Sequence, residues 1–328
     1  MDSDTVSFLR QVGNLKPVPK SILVFGASDH IGGPLAAFLA REAPSIRLRL
    51  TSHREDKAKS LRGRFPAAEV VVADYVDLPS LTKAVDSMEG VFVITPGGLD
   101  EQVAMTNMVA ACKTSGSLIH MLRIVGLQPE ANPNRIPQSL RNKGVGIEIQ
   151  HPIAKRILDD SGLPVTYLNC GATFMDNFIR LGLGHSVRRE RKLIWPERLI
   201  PWIDPRDIAE VAARLFLSDN HRHIGQFHTM NNGHDLLRFH EVAKLMSEVL
   251  NEPIGYDGSR DAFFAAYSSL GPLREYLWEF LKYEQDNEVV WARNDFVERM
   301  LGRKPTTLRE WLVEYRDVLL GTSKEVVS

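Results

Sequence analysis

The chain has 328 residues, 44% of them hydrophobic and 25% charged, an ordinary globular composition with enough apolar mass for a core shared between two lobes. Forty basic and forty-one acidic side chains leave a formal charge of −1, so no broad attraction to nucleic acid or to an anionic membrane is expected. No window approaches the ~18 apolar residues of a spanning helix, and the two cysteines, Cys112 and Cys170, show no CxxC or metal-type spacing, which fits a reducing, cytoplasmic setting.

Residues 1–20 carry two early aspartates and no uninterrupted apolar stretch. They read as an extension that packs on a lobe surface or a neighbouring subunit, neither signal peptide nor anchor. From Ser21 strands and helices alternate. "SILVF" is a strand, followed by the turn "GASDHIG" and the helix "GGPLAAFLAREA", whose Pro34 sits in the first turn, where a missing N–H costs little. The strands "IRLRLTS", "EVVVADY", "GVFVITP", "SLIHMLRIV" and "LPVTYLNC" follow, separated by "EDKAKSLRGRF", "DLPSLTKAVDSM" with Asp77 as N-cap, "DEQVAMTNMVAACKTSG" and "HPIAKRILDDSG".

Short runs with little polar alternation, joined by helices, mark a parallel sheet buried on both faces. The expected fold is α/β, a doubly wound parallel Rossmann sheet with a smaller, mainly helical C-terminal substrate lobe. The Rossmann domain is assigned to residues 21–170, with residues 195–230 returning to it, and the lobe to residues 171–328. In that lobe "GATFMDNF" and "RRERKLIWPERLIPWID" read as loops, and "DIAEVAARLFLS", "DLLRFHEVAKLMSEVL", "DAFFAAYSSLGPLREYLWEFLKYEQDN" and "TLREWLVEYRDVLL" as helical. Residues 126–150 form a loop long enough to act as a lid. The aromatic stripe Tyr276, Trp278 and Phe280 has the spacing of a core face more than of a ligand cage. His221 and His223 lack an acidic partner at ligand spacing and read as a surface turn, so no metal is expected.

In a Rossmann unit the pyrophosphate lies against the N-terminus of the first helix. Gly26 supplies the tight turn and Gly32 the close approach of helix and strand. Asp29 stands where a middle glycine is usual. Aspartate tolerates a left-handed backbone, but its charge repels phosphate unless it turns away or caps the helix. After the second strand an NAD site would place an acid; here Thr51 and Ser52 are followed by Arg54, with Lys57 and Lys59 nearby. Arginine can pair with a 2′-phosphate and stack on adenine, so NADPH (NADP+) is the expected cofactor.

"LVFGASDHIG", "TSHRE", "VVVADYVDLPSL", "GVFVITP", "KxxxDDSGLPVTYLNCGATFMDNF", "WIDPRDIAEVA" and "GRKPTTLREWL" together resemble the NmrA-like family of atypical short-chain dehydrogenase/reductases, over nearly the whole chain from Ser21 to about residue 315. The resemblance implies an NADP(H)-binding Rossmann domain. It also implies one of two kinds of member: reductases of quinones, dyes, enones and phenylpropanoids, or redox sensors that bind the dinucleotide without turnover. It implies that Gly26, Ser28, His30, Ile31 and Gly32 line the pyrophosphate turn, that Arg54 faces the 2′-phosphate and Asp74 adenine, and that Thr95 and Pro96 flank the adenosine ribose and nicotinamide side. Phe174 is implied nearest the nicotinamide.

Where short-chain dehydrogenases place a tyrosine four residues before a lysine, this chain has His151 and Lys155, which share a helix face. A nearby ammonium would favour the neutral imidazole, and histidine is a competent proton donor near neutral pH. The usual serine is absent, with Arg123 or Ile124 in its place; Arg123 would orient a carboxylate or carbonyl of the substrate or form a structural ion pair. Hydride transfer to an activated C=C, C=N or quinone does not require an enzyme acid, because water can protonate the product. Phe174, Met175, Asn177 and Phe178 are expected to wall the substrate pocket. The leading expectation is an NADPH-dependent oxidoreductase of a small conjugated or aromatic electrophile, and the alternative is a non-catalytic NADP(H)-binding sensor acting through a protein partner. Expected partners are a small-molecule substrate and, as an allowed assembly, a second copy in a homodimer, with no nucleic acid bound directly and no membrane.

Overall fold

The computed structural model describes residues 15–129, 136–144, 146–287 and 289–322. Most of the expected N-terminal extension, residues 1–14, lies outside the described residues, as do residues 130–135 and 145 of the expected lid. The chain divides into two compact units. The first holds the chain up to Leu127, with Val145–Cys170 and Ile208–Thr229; the second holds Gln128–Gly144, Gly171–Asp207 and the chain from Met230 onward.

The first unit alternates as β1 (Ser21–Val24), α1 (Gly32–Glu42), β2 (Arg47–Ser52), α2 (Glu55–Arg64), β3 (Glu69–Val72), α3 (Leu78–Val85), β4 (Gly90–Val93), α4 (Glu101–Ser115) and β5 (His120–Val125). After a short α5 (Gln138–Lys143), which belongs to the second unit, come α6 (Ile147–Ser161) and β6 (Val165–Cys170). With β10 (Phe227–Met230) at one edge, the sheet runs β10-β6-β5-β4-β1-β2-β3. Each pairing from β6 through β3 is parallel, with Val24 opposite both Leu50 and Phe92. The strand order reverses at β1 and β4, so the carboxyl ends of these strands open the crevice in which doubly wound sheets bind ligands. One face is filled by an apolar cluster that includes Leu23, Val91, Met105, Met121 and Leu158.

Helix α6 begins at Ile147, four residues ahead of the expected start, with Gly146 as N-cap. Its first turn is closed by Gly146, whose carbonyl accepts from the Ile149 and Gln150 N–H groups. Pro152 therefore lies inside the helix and not in its first turn. At Asp77 the helix start is where expected, but the aspartate side chain makes no capping bond.

The second unit departs most from the sequence pattern. The stretches read as loops contain β7 (Thr173–Phe174), β8 (Lys192–Ile194) and β9 (Leu199–Ile203), and part of a stretch read as helix is β11 (Leu236–Arg238). β9 pairs with β7 in parallel and β11 antiparallel, while β8 pairs with β12 (Gly255–Asp257). Strands of two or three residues are too short to show a pattern, and the five-residue β9 carries Pro201 inside its apolar run. Helices α7 (Asn177–Arg180), α8 (Leu183–Glu190), α9 (Pro205–Leu217, running into the first unit), α10 (Phe239–Leu250), α11 (Arg260–Ala266), α12 (Pro272–Asp286), α13 (Phe296–Leu301), α14 (Leu308–Glu314) and α15 (Arg316–Leu320) supply the helical remainder. Its core centres on Trp202, with Phe178 stacked on it at 5.5 Å and Phe239 at 5.6 Å. Among the described residues no helix is long and apolar enough to cross a membrane, and no group of three or more His, Cys, Asp or Glu could hold a metal. His221 to His223 form a short 3-10 turn.

Candidate functional site

The turn from β1 to α1 closes only because two positions lack a side chain. Gly26 has φ +66°, and a Cβ there would come 2.6 Å from Ile94 Cγ2. A Cβ at Gly32 would run into the backbone of Gly26, so the first turn of α1 lies directly against the strand end. Asp29 braces the turn: its N–H donates to the Gly26 carbonyl at 2.9 Å and its carbonyl accepts from Gly33 at 2.8 Å. Ile31 is fully buried, while Ser28 and His30 retain some exposure on the same turn.

The Asp29 side chain turns toward α2, where Lys57 Nζ stands 3.9 Å from its carboxylate. Arg54 is the N-cap residue of α2, in extended conformation. Its guanidinium grips Asp56 in bidentate fashion, with Nε at 2.9 Å and Nη2 at 2.5 Å from the two carboxylate oxygens. That hydrogen bonding raises the Arg54 pKa and holds the Asp56 carboxyl below its usual range. Beyond β3, Asp74 is exposed and its carboxylate accepts the Val76 N–H at 3.0 Å. Arg54 and Asp74 thus stand after adjacent strands of the sheet.

Around β5 and the end of β4 the sheet holds a buried polar cluster. Arg123 is fully buried, and Glu101, at the start of α4, is 1% exposed. Arg123 Nη2 donates to Glu101 Oε1 at 2.6 Å and to Thr95 Oγ1 at 2.9 Å, and the Thr95 hydroxyl donates in turn to Glu101. Tyr75 donates to the Ile94 carbonyl at 2.8 Å, holding the strand end against which Gly26 packs. His151 reaches the cluster from α6: Gly126 N–H donates to Nδ1 at 2.7 Å, which leaves the ring proton on Nε2, 4.0 Å from Glu101 Oε1. Burial first, and then the Arg123 charge, lowers the His151 pKa to about 3. The ring is therefore neutral near pH 7, but the charge that helps keep it so is Arg123, where the sequence pointed to Lys155. Lys155 pairs instead with Asp159 at 2.6 Å and lies 4.8 Å from the centroid of the Tyr167 ring. Pro96 is exposed at the mouth of the β4 loop.

Glu101 is the site residue that motif reading missed. The available signal was an acid in the first turn of the helix after β4, opposite a buried arginine on the neighbouring strand. The arginine leaves Nε and Nη1, and the glutamate Oε2, without a partner inside the protein.

In the second unit, Phe174 sits on β7 opposite Ile203 of β9. Met175 and Phe178 are core residues, 0% and 1% exposed, because the chain after β7 folds them onto Trp202 and its neighbours. Phe174 and Asn177 keep accessible surface. Trp278 and Phe280 pack against the same core, and Tyr276 stacks on Phe280 at 6.3 Å. A second buried ion pair, Arg198 with Glu284, ties the residue just before β9 to α12, with Arg198 also donating to Thr173 at 3.0 Å; burial lowers the Arg198 pKa to about 9. Both cysteines are free, and burial pushes the Cys112 and Cys170 thiols up to about 12.

Three similarities stand beside this geometry. The chain is 24% identical over 306 residues to the (4-alkanoyl-5-oxo-2,5-dihydrofuran-3-yl)methyl phosphate reductase of Streptomyces griseus, covering 90% of this chain and 98% of that protein. It is 26% identical over 237 residues to the NAD(P)H azoreductase of Xenophilus azovorans, covering 72% and 76%. The triphenylmethane reductase of Citrobacter sp., solved in complex with NADP(H), superposes with a TM-score of 0.74 at 20% identity over 90% of this chain and 99% of that one, a likeness of fold. The model of the NmrA-like family matches residues 19–312, both units included, and the chain belongs to that family.

Proposed function

We propose that the protein is an NADPH-dependent reductase that delivers hydride to a small conjugated or aromatic electrophile of the quinone, enone, imine or phenylpropanoid type. The observation that carries this reading is the β1–α1 turn. Gly26 and Gly32 let the first turn of α1 close directly against the end of β1, which sets the N-terminus of α1 at the point where the strand order reverses. A pyrophosphate would lie on the turn from Gly26 to Gly32, past Ser28, His30 and Ile31. Arg54 would meet the 2′-phosphate and Asp74 the adenine, with Thr95 and Pro96 beside the ribose and Phe174 on the nicotinamide side. When bound, the dihydronicotinamide supplies the hydride. The relatives' substrates support the substrate class: an azo compound, a triphenylmethane and an acylated dihydrofuranone share an electron-poor conjugated centre.

Within this reading the chain orients the reactants, and water protonates the product. His151, neutral at the pH of most assays, holds a fixed Nε2–H donor; Arg123 and Glu101 keep Thr95 and His151 in place; Lys155, on the same helix, is assigned to the ribose. The non-catalytic sensor is the second reading. It is favoured by the neutral His151 together with the commitment of Arg123 to Glu101, which leaves that cluster without an acid of ordinary strength.

Side-by-side titration with NADPH and NADH, followed by NADPH consumption against quinones, enones, imines and azo dyes, tests both. NADPH preference that collapses in Arg54→Ala, with consumption of at least one acceptor class, supports the reductase. Tight NADPH binding with no consumption across the panel favours the sensor, and absence of binding overturns both.

A further inference from the structure

The cations at the adenosine end of the site are already engaged by carboxylates of the chain itself. Arg54 presents Nε and Nη2 to both oxygens of Asp56, two residues on. A guanidinium edge matches one carboxylate or one phosphate edge at a time, so an anion approaching that edge must displace Asp56. One turn further, Lys57 faces Asp29, the residue that stands where the glycine turn usually has no side chain.

We propose that Asp56 and Asp29 are specificity-determining residues that act as internal counter-ions, Asp56 competing with the cofactor 2′-phosphate for Arg54 and Asp29 opposing the pyrophosphate while it holds Lys57. The inference rests on the reading of the β1–α1 turn as a dinucleotide site. It separates the two aspartates by what each cofactor carries: only NADPH has the 2′-phosphate, whereas both cofactors share the pyrophosphate. Asp56 therefore sets the NADPH-to-NADH ratio, and Asp29 sets the affinity for both. Side-chain exposure is 58% for Arg54, 62% for Asp56, 42% for Lys57 and 55% for Asp29, so water and salt screen the pairs and each opposes binding only modestly.

The full-length chain, Asp56→Asn, Asp29→Asn and Arg54→Ala are each titrated with NADPH and NADH at low and high salt. Asp56→Asn is expected to tighten NADPH about two- to fivefold and leave NADH unchanged, and Asp29→Asn to tighten both cofactors by a similar factor, with the gains shrinking at high salt. Both substitutions are isosteric on exposed side chains, so folding is preserved. Weaker or unchanged NADPH binding in Asp56→Asn would mean that the aspartate aims Arg54 instead of competing for it, and overturns the first half. Unchanged binding of both cofactors in Asp29→Asn overturns the second. Arg54→Ala locates the fault: a ratio it leaves intact places the error in the 2′-phosphate site, and a ratio it collapses while Asp56→Asn does nothing places the error in the counter-ion role alone.

Discussion

A methyl group added at Gly32 meets the Gly26 backbone, and one added at Gly26 meets Ile94 on a backbone with φ +66°. Neither obstacle is the end of a flexible side chain free to swing away, so the turn itself must shift. Gly32→Ala is expected to cost about 1–3 kcal/mol of stability and to weaken NADPH on the order of tenfold, a further 1.4 kcal/mol or so at the site; thermal unfolding and cofactor titration measure the two effects separately. These glycines were legible because their function is the absence of a side chain, which a sequence displays directly. The partner of Asp29 was not. Lys57 comes near only because β2 lies beside β1 with Val24 opposite Leu50, a register that brings α2 to the turn. The Arg54–Asp56 grip was missed although only one residue separates the pair, since proximity in sequence does not say which acid an arginine fork will choose.

Between elements, the joint of greatest energetic consequence is the one from β5 to α4 through Arg123 and Glu101. Taking two charges out of water is costly, and the pair offsets this only while both members remain. Glu101→Gln leaves a buried guanidinium without its counter-charge and is expected to destabilise by about 3–5 kcal/mol, whereas Arg123→Met combined with Glu101→Leu recovers most of that loss. Urea unfolding of the single and double variants checks this, and a double variant no better than Glu101→Gln would show that the pair does more than neutralise itself. At this scale the sequence pattern located every strand of the sheet from β1 to β6 and the helices between them except α5, which falls in the stretch read as a loop, because these strands and helices alternate in a regular array. It missed the two- to five-residue strands of the second unit, which owe their existence to partners distant in sequence. It also started α6 at His151, because the proline at 152 resembles a helix opening, whereas Gly146 supplies the earlier one.

Over the molecule as a whole, two buried imidazoles contribute to the response to acid. His120, bonded to Thr166 at 2.9 Å, and His151 both have pKa values lowered to about 3, in each case chiefly by burial. Between the ordinary histidine value of about 6.5 and those depressed values, the unfolded chain binds protons that the folded chain does not. Stability is therefore full above that range and falls as pH is lowered through it, by about 1.4 kcal/mol per pH unit for each group. Denaturant unfolding between pH 7 and 4 measures the slope, and His120→Gln is expected to remove about half of the share due to these two residues. A slope unchanged by that substitution would assign the acid sensitivity elsewhere. The fold class and the family were readable because motif order runs through the entire chain. The titration behaviour was not, since it depends on how deeply the fold places each ring.

The two thiols have a consequence of their own. Quinones and enones are Michael acceptors, and they alkylate a protein through its thiolates. With Cys112 and Cys170 held to about 12, almost no thiolate is present at neutral pH. Under the proposed function, turnover of such compounds would proceed without arylation of these two thiols.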